Sequence, residues 1–126
     1  MLLPSTTILV VDDNPYACSF IARVLRDGGY DVVEAQDGPE ALRMVPTMRA
    51  LRLLVTDVVM PGLSGFELAS HVVAACNVPV LFVSAYPQGD TEIPGPLLQK
   101  PFTPEALLNG VAQLLAWAHL SDKRTA

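Results

Sequence analysis

The chain has 126 residues, 51% of them hydrophobic, and carries 13 acidic and 8 basic side chains for a formal net charge of −5. This length suits one domain with a real core, and so apolar a composition in a short chain fits a parallel sheet covered on both faces. The acidic balance without any basic cluster argues against direct nucleic-acid binding, and none is expected. No apolar run approaches the roughly 18 residues of a membrane span, and Met1 to Ser5 holds no basic stretch ahead of an apolar one, so a cytoplasmic protein is expected.

Short, unbroken apolar runs alternate with helical patterns, which predicts βαβ units in a single domain over 1–126 with a core of about 8–118. The first strand is Ile8-Leu9-Val10-Val11. Asn14 is then a good N-cap and Pro15 a good first helical residue, and Ala17, Phe20, Ile21, Val24 and Leu25 form a stripe that ends at Gly28-Gly29. A second strand covers about Asp31 to Ala35. Asp37-Gly38-Pro39-Glu40 opens a second helix at capping-box spacing, and Pro46 ends or kinks it.

The third strand, Leu53-Leu54-Val55-Thr56, is followed by Asp57 and the loop Met60-Pro61-Gly62-Leu63, whose glycine would let the backbone pass close to a ligand. Ser64-Gly65-Phe66-Glu67 is another capping box, starting a helix through about Ala75. A fourth strand, Val80-Leu81-Phe82-Val83, closes on Ser84. A fifth apolar run leads into Leu97-Leu98-Gln99-Lys100-Pro101-Phe102. Thr103-Pro104 caps a last helix with the stripe Leu107, Leu108, Val111, Leu114, Leu115 and Ala118. Cys18 and Cys76 sit on apolar helix faces without CxxC spacing and read as reduced thiols, and His71 and His119 read as surface residues of helices.

The chemistry gathers at strand ends. Asp12, Asp13 and Asp57 each follow an apolar run, and ligands of open α/β sheets collect at the carboxyl ends of strands. Three carboxylates at one spot repel unless a cation neutralises them. Ser84 and Lys100 end two further runs and add a hydroxyl and an ammonium, both suited to phosphate oxygens.

With Val10-Val11-Asp12-Asp13, Thr56-Asp57-Val58-Val59-Met60-Pro61-Gly62, Val83-Ser84-Ala85 and Lys100-Pro101-Phe102 present in this order, the chain resembles the receiver domains of two-component response regulators from about Ile8 to Ala118. The resemblance implies a flavodoxin-like (βα)5 fold with a five-stranded parallel sheet of order 2-1-3-4-5, and a cis bond at Lys100-Pro101. It also implies that Asp57 is the phospho-acceptor, that Asp12 and Asp13 help hold Mg²⁺, that Ser84 is the switch hydroxyl and that Lys100 contacts the phosphate. Mg²⁺ takes oxygen ligands in octahedral geometry, so Asp12, Asp13, Asp57 and a loop carbonyl, that of Val59, are its expected protein ligands. An ionised carboxylate is already a nucleophile and needs no separate base. The implied partner is a sensor histidine kinase or a histidine phosphotransfer protein. The segment 98–107 resembles receivers attached to hybrid sensor kinases, while only a short polar tail follows the last helix, so a stand-alone or an excised receiver is expected. The sequence leaves oligomeric state open.

Two departures stand out. Only twelve residues, Ala85 to Pro96, separate strands four and five, and three prolines and two glycines lie among them, so the family's fourth helix is expected to be truncated or replaced by a loop. Leu97 stands where the family usually has an aromatic residue, which removes the usual partner of the switch hydroxyl; Tyr86 is the candidate substitute. The alternative function is a degenerate receiver that docks a protein without being phosphorylated. Turnover as a haloacid-dehalogenase-like phosphatase is not expected, because Val59 stands where such an enzyme has its second Asp. A flavin or dinucleotide module is disfavoured because acids replace glycines after strand one.

Overall fold

The computed structural model describes residues 6–85 and 95–125. Five parallel strands form one sheet: β1 (Thr7–Val11), β2 (Asp31–Ala35), β3 (Leu51–Asp57), β4 (Val80–Ser84) and β5 (Leu97–Gln99), in the order β2-β1-β3-β4-β5. Among the described residues four helices accompany them: α1 (Pro15–Asp27), α2 (Gly38–Met44), α3 (Gly65–Cys76) and α4 (Pro104–Thr125), with a 3₁₀ turn, Val45–Thr47, after α2. The expected doubly wound, flavodoxin-like arrangement is therefore present. The region expected to lack a full helix falls mostly on residues 86–94, outside the described residues, as does Tyr86.

The apolar runs are unbroken because the sheet is buried on both sides. Successive side chains point to opposite faces. Leu9, Val11, Leu54 and Phe82 therefore pack with Ala41 of α2 and with Leu68, Ala69 and Val72 of α3. Their neighbours Ile8, Val10, Leu53, Val55, Leu81 and Val83 pack with Cys18, Ile21 and Leu25 of α1 and with Leu107 and Val111 of α4. Phe66 and Phe82 meet edge to face, with centroids 5.2 Å apart.

The helix starts follow their sequence signals. Asn14 accepts from the amides of Tyr16 and Ala17, and Asp37 accepts from the amide of Glu40. Ser64 and Glu67 form a reciprocal box, and the Thr103 hydroxyl accepts from the amide of Ala106. Pro46 lies in the 3₁₀ turn that closes α2. Cys18 is buried, and burial first, then the charges of Glu34 and Asp12, pushes its thiol up to about 12, so it stays protonated. Cys76 is a free, half-buried thiol, and His71 and His119 are exposed. Among the described residues no helix is long and apolar enough to cross a membrane.

Gly110 lies inside α4, where an added Cβ would come no closer than 3.7 Å to Leu81, an ordinary contact. Gly110→Ala is therefore expected to stabilise the fold by about 0.5–1 kcal/mol, through the helix preference of alanine over glycine. A urea titration showing no gain, or a loss, would place hidden strain at this position.

Candidate functional site

Register carries the site residues together. Val11 pairs with Thr56 across β1 and β3, so Asp12 and Asp57 emerge side by side at the point where the strand order reverses. Asp57 pairs with Val83 on β4, which places Ser84 one residue further along. Ser84 pairs with Gln99 on β5, and its carbonyl accepts from the Lys100 amide at 2.7 Å, which carries Lys100 to the same rim. The Lys100–Pro101 bond is cis.

One ligand oxygen from each of Asp12, Asp13 and Asp57 falls within 4.8 Å of the others. Their environments differ. Asp12 is fully buried; its Oδ1 accepts from the Asn14 amide at 2.9 Å and its Oδ2 from Lys100 Nζ at 2.8 Å. Asp13 is exposed. The Asp57 side chain is 13% exposed; its Oδ1 accepts from the Val58 amide at 2.9 Å, and its Oδ2 lies 3.8 Å from Lys100 Nζ. The ammonium thus lies between two carboxylates and offsets part of their repulsion. Burial, followed by the charge of Asp12, nevertheless raises the carboxyl of Asp57 above its ordinary range, against the lowering effects of Lys100 and of the Val58 N–H.

These carboxylates open on a cavity of about 600 Å³ lined by Asp12, Asp13, Asn14, Asp57, Val59, Met60, Pro61, Ala85 and Lys100. Ser84 itself is 5% exposed and lies behind this lining, with Ala85 at the surface. Leu97 is half-buried and packs against the α2–α3 side of the core. The donor set that the described residues bring together is all oxygen, the three carboxylates, and Val59 lines the same cavity. A hard divalent cation such as Mg²⁺ fits it, whereas soft metals that need thiolate or imidazole find none here.

Gly62 is needed for its backbone, at φ +81°, but a Cβ there would meet nothing within 4 Å. A close approach of backbone to backbone is found at Gly65, where an added Cβ would lie 2.0 Å from the Asp57 carbonyl oxygen. A pattern of Ser64-x-x-Glu67 signals the helix start, but nothing in it reveals how hard that start presses on β3.

Lys100→Met is expected to lower stability without metal by about 3 kcal/mol, because it leaves the buried Asp12 charge without its cation. The same change should tighten Mg²⁺ binding, since ammonium and metal compete for the same oxygens. Calorimetric titration of both proteins checks this; weaker Mg²⁺ binding in the variant would refute the competition.

The response regulator receiver domain family matches residues 8–112. The chain is 34% identical over 124 residues to the uncharacterized transcriptional regulatory protein YrkP of Bacillus subtilis (strain 168), covering 93% of this chain and 53% of that protein. It is 35% identical over 124 residues to the sensor protein EvgS of Escherichia coli (strain K12), covering 93% of this chain and 10% of that one. It therefore spans about half of the first relative and a small part of the second. Among solved structures, the receiver domain of the hybrid histidine kinase CckA superposes with a TM-score of 0.77 at 37% identity, over 86% of this chain and 98% of that one. The chemotaxis protein CheY4 of Vibrio cholerae gives 0.80 at 28%, over 87% and 98%. Receiver domains bind Mg²⁺ in an acidic pocket and work with histidine kinases. With the five-stranded order, the cluster of Asp12, Asp13 and Asp57 and these matches in agreement, the chain belongs to the receiver domain family of two-component response regulators.

Proposed function

We propose that Asp57 accepts a phosphoryl group from a phosphohistidine on a sensor histidine kinase or a histidine phosphotransfer protein, and that the chain works as a switch in the cytoplasm. The observation that carries this reading is the position of Asp57: a largely buried carboxylate in the cavity it shares with Asp12, Asp13 and Lys100, with the ammonium 3.8 Å from its Oδ2. An Asp57 oxygen attacks phosphorus, the P–N bond to the donor imidazole breaks, and the imidazole leaves and takes its proton from water. Chemistry of this kind asks the protein mainly for positioning and charge neutralisation.

Asp12, Asp13, Asp57 and the carbonyl of Val59 are the residues that would hold Mg²⁺. When bound, the ion neutralises charge on the phosphoryl oxygens. Lys100, whose Nζ lies 2.8 Å from Asp12 Oδ2, adds a positive charge to the rim and would be free to turn toward a phosphoryl oxygen if a metal took that carboxylate. Ser84, one residue beyond the Asp57 pairing on β4, is the hydroxyl that would follow the phosphoryl group and relay its presence to the surface around β5. The matches to the sensor protein EvgS and to the receiver domain of the hybrid histidine kinase CckA support a histidine kinase as donor. The receiver is taken to occupy the whole chain, with its core at about 8–118.

Borohydride reduction of an acyl phosphate converts the aspartate to homoserine. Applied to protein treated with acetyl phosphate and Mg²⁺, it should mark residue 57 alone. Homoserine at Asp12 or Asp13, or at no residue, would overturn the assignment and favour an unphosphorylated docking module.

A further inference from the structure

We propose that Gly38, on α2 and outside the cavity, is a positioning residue for the acidic site: it forms a seat for Leu63, and through Leu63 it holds the β3–α3 loop in place. The inference rests on the phospho-acceptor reading of that site but adds a residue that lies 19 positions before Asp57 in the chain.

Gly38 is buried at the first position of α2, directly after the N-cap Asp37. Its backbone has no left-handed conformation that would call for glycine; the positive-φ glycines among the described residues are Gly29 and Gly62. Alanine at such a place would ordinarily favour the helix. The space is what matters. A Cβ on residue 38 would lie 2.7 Å from Leu63 Cδ2, 2.8 Å from Leu63 Cβ and 3.1 Å from Leu63 Cγ. The Cδ2 methyl can rotate away, but Leu63 Cβ is fixed to its backbone, so relief requires the loop itself to move.

That loop is the wall of the cavity. Val59, Met60 and Pro61 line the site, and Leu63 follows them by two residues and precedes the α3 N-cap Ser64. Its start is pinned by the Val58 amide donating to the Val83 carbonyl at 3.2 Å, and its far end by the Gly65 amide donating to the Val58 carbonyl at 2.9 Å. Between these pins, Met60 is buried in the α2–α3 core and the half-buried Leu63 packs against it, so Leu63 is the second side chain that anchors the loop and the one that faces Gly38. A push at Gly38 therefore travels to the segment carrying the Val59 carbonyl, while Asp12, Asp13 and Lys100, on other loops, stay where they are.

The test compares wild type, Gly38→Ala, Leu63→Ala and the double variant by Mg²⁺ calorimetry, by amide hydrogen exchange over residues 58–64, and by the rate of labelling with acetyl phosphate. Gly38→Ala is expected to weaken Mg²⁺ binding by about threefold or more and to speed exchange in the loop, as touching residues couple. In the double variant the clash is gone, and its Mg²⁺ affinity should return to within about twofold of Leu63→Ala alone. Leu63→Phe, which overfills the seat with α2 unaltered, should reproduce the Gly38→Ala effect even if that variant fails to fold. Unchanged affinity and exchange in Gly38→Ala and Leu63→Phe, or a loss that Leu63→Ala does not relieve, would overturn the seat. A wild type that binds Mg²⁺ with the expected variant pattern yet takes no phosphoryl group would leave the seat standing and sink the acceptor reading alone.

Discussion

Asp57→Asn is expected to abolish phosphoryl uptake from acetyl phosphate and, in the absence of metal at neutral pH, to raise the melting temperature by several degrees. The first effect follows because an amide is no nucleophile at phosphorus, while its carbonyl oxygen can still accept from the Val58 amide as Asp57 Oδ1 does at 2.9 Å. The second follows from linkage. Burial and the neighbouring Asp12 hold the Asp57 carboxyl above its ordinary range in the folded state. The folded protein therefore binds this proton more tightly than the unfolded chain, where an aspartate titrates near about 3.9. Its favourable contribution is complete below the unfolded value and is lost as pH rises through the folded one, so the ionised group weakens the metal-free fold at pH 7. The advantage of the Asn variant should accordingly shrink as pH falls into the carboxylate range. Mg²⁺ should reverse the order, since a ligand at a hundred times its Kd stabilises wild type by about 2.7 kcal/mol. Melting curves with and without Mg²⁺, at pH 7 and at acid pH, check all three statements. An Asn variant that melts below wild type without metal at pH 7 would contradict the repulsion argument.

Gly65→Ala should be the most damaging small substitution near the site. The new Cβ would lie 2.0 Å from the Asp57 carbonyl oxygen and 3.0 Å from both the Asp57 carbonyl carbon and Val58 Cα. All three are backbone atoms, so no rotamer relieves the overlap. The carbonyl is also held by the Thr56 hydroxyl, which donates to it at 2.9 Å. Relief must come from α3 backing away from the end of β3 by about 1 Å or more, which breaks the bond from the Gly65 amide to the Val58 carbonyl. The expected cost is about 3 kcal/mol or more, read as a fall of about ten degrees or more in melting temperature. Labelling of the protein that remains folded should slow by about tenfold or more, because the nucleophile moves with its strand end. Gly110→Ala serves as the matched control, a glycine with room for a methyl group. Equal melting temperatures for Gly65→Ala and wild type would show that α3 is not pressed against β3 as described.

Much of this was legible in the residues. The three central strands, β1, β3 and β4, announce themselves as apolar runs, since alternate residues such as Ile8 and Leu9 feed cores on opposite faces, while the edge strands β2 and β5 carry polar residues. Asn14-Pro15 and Ser64-x-x-Glu67 mark helix starts through local hydrogen bonds that reach no further than three residues. The acids, the hydroxyl and the lysine were legible because each closes such a run. What stayed hidden depends on contacts between distant segments. Asp12 and Asp13 are equivalent as letters, yet one is fully buried and bonded to Lys100 and the other exposed. The grip of Lys100 on Asp12 spans 88 positions and has no local signature. The crowding at Gly65 has no local signature, and Gly38 reads as part of a cap when its space belongs to Leu63.

The most direct test of the central claim is the intact mass of the wild-type chain after incubation with acetyl phosphate, with Mg²⁺ and with the metal chelated, beside Asp57→Asn. One added phosphoryl group that requires Mg²⁺ and is missing from the Asn variant is the predicted result. No gain in wild type with Mg²⁺, or an equal gain in Asp57→Asn, would contradict it.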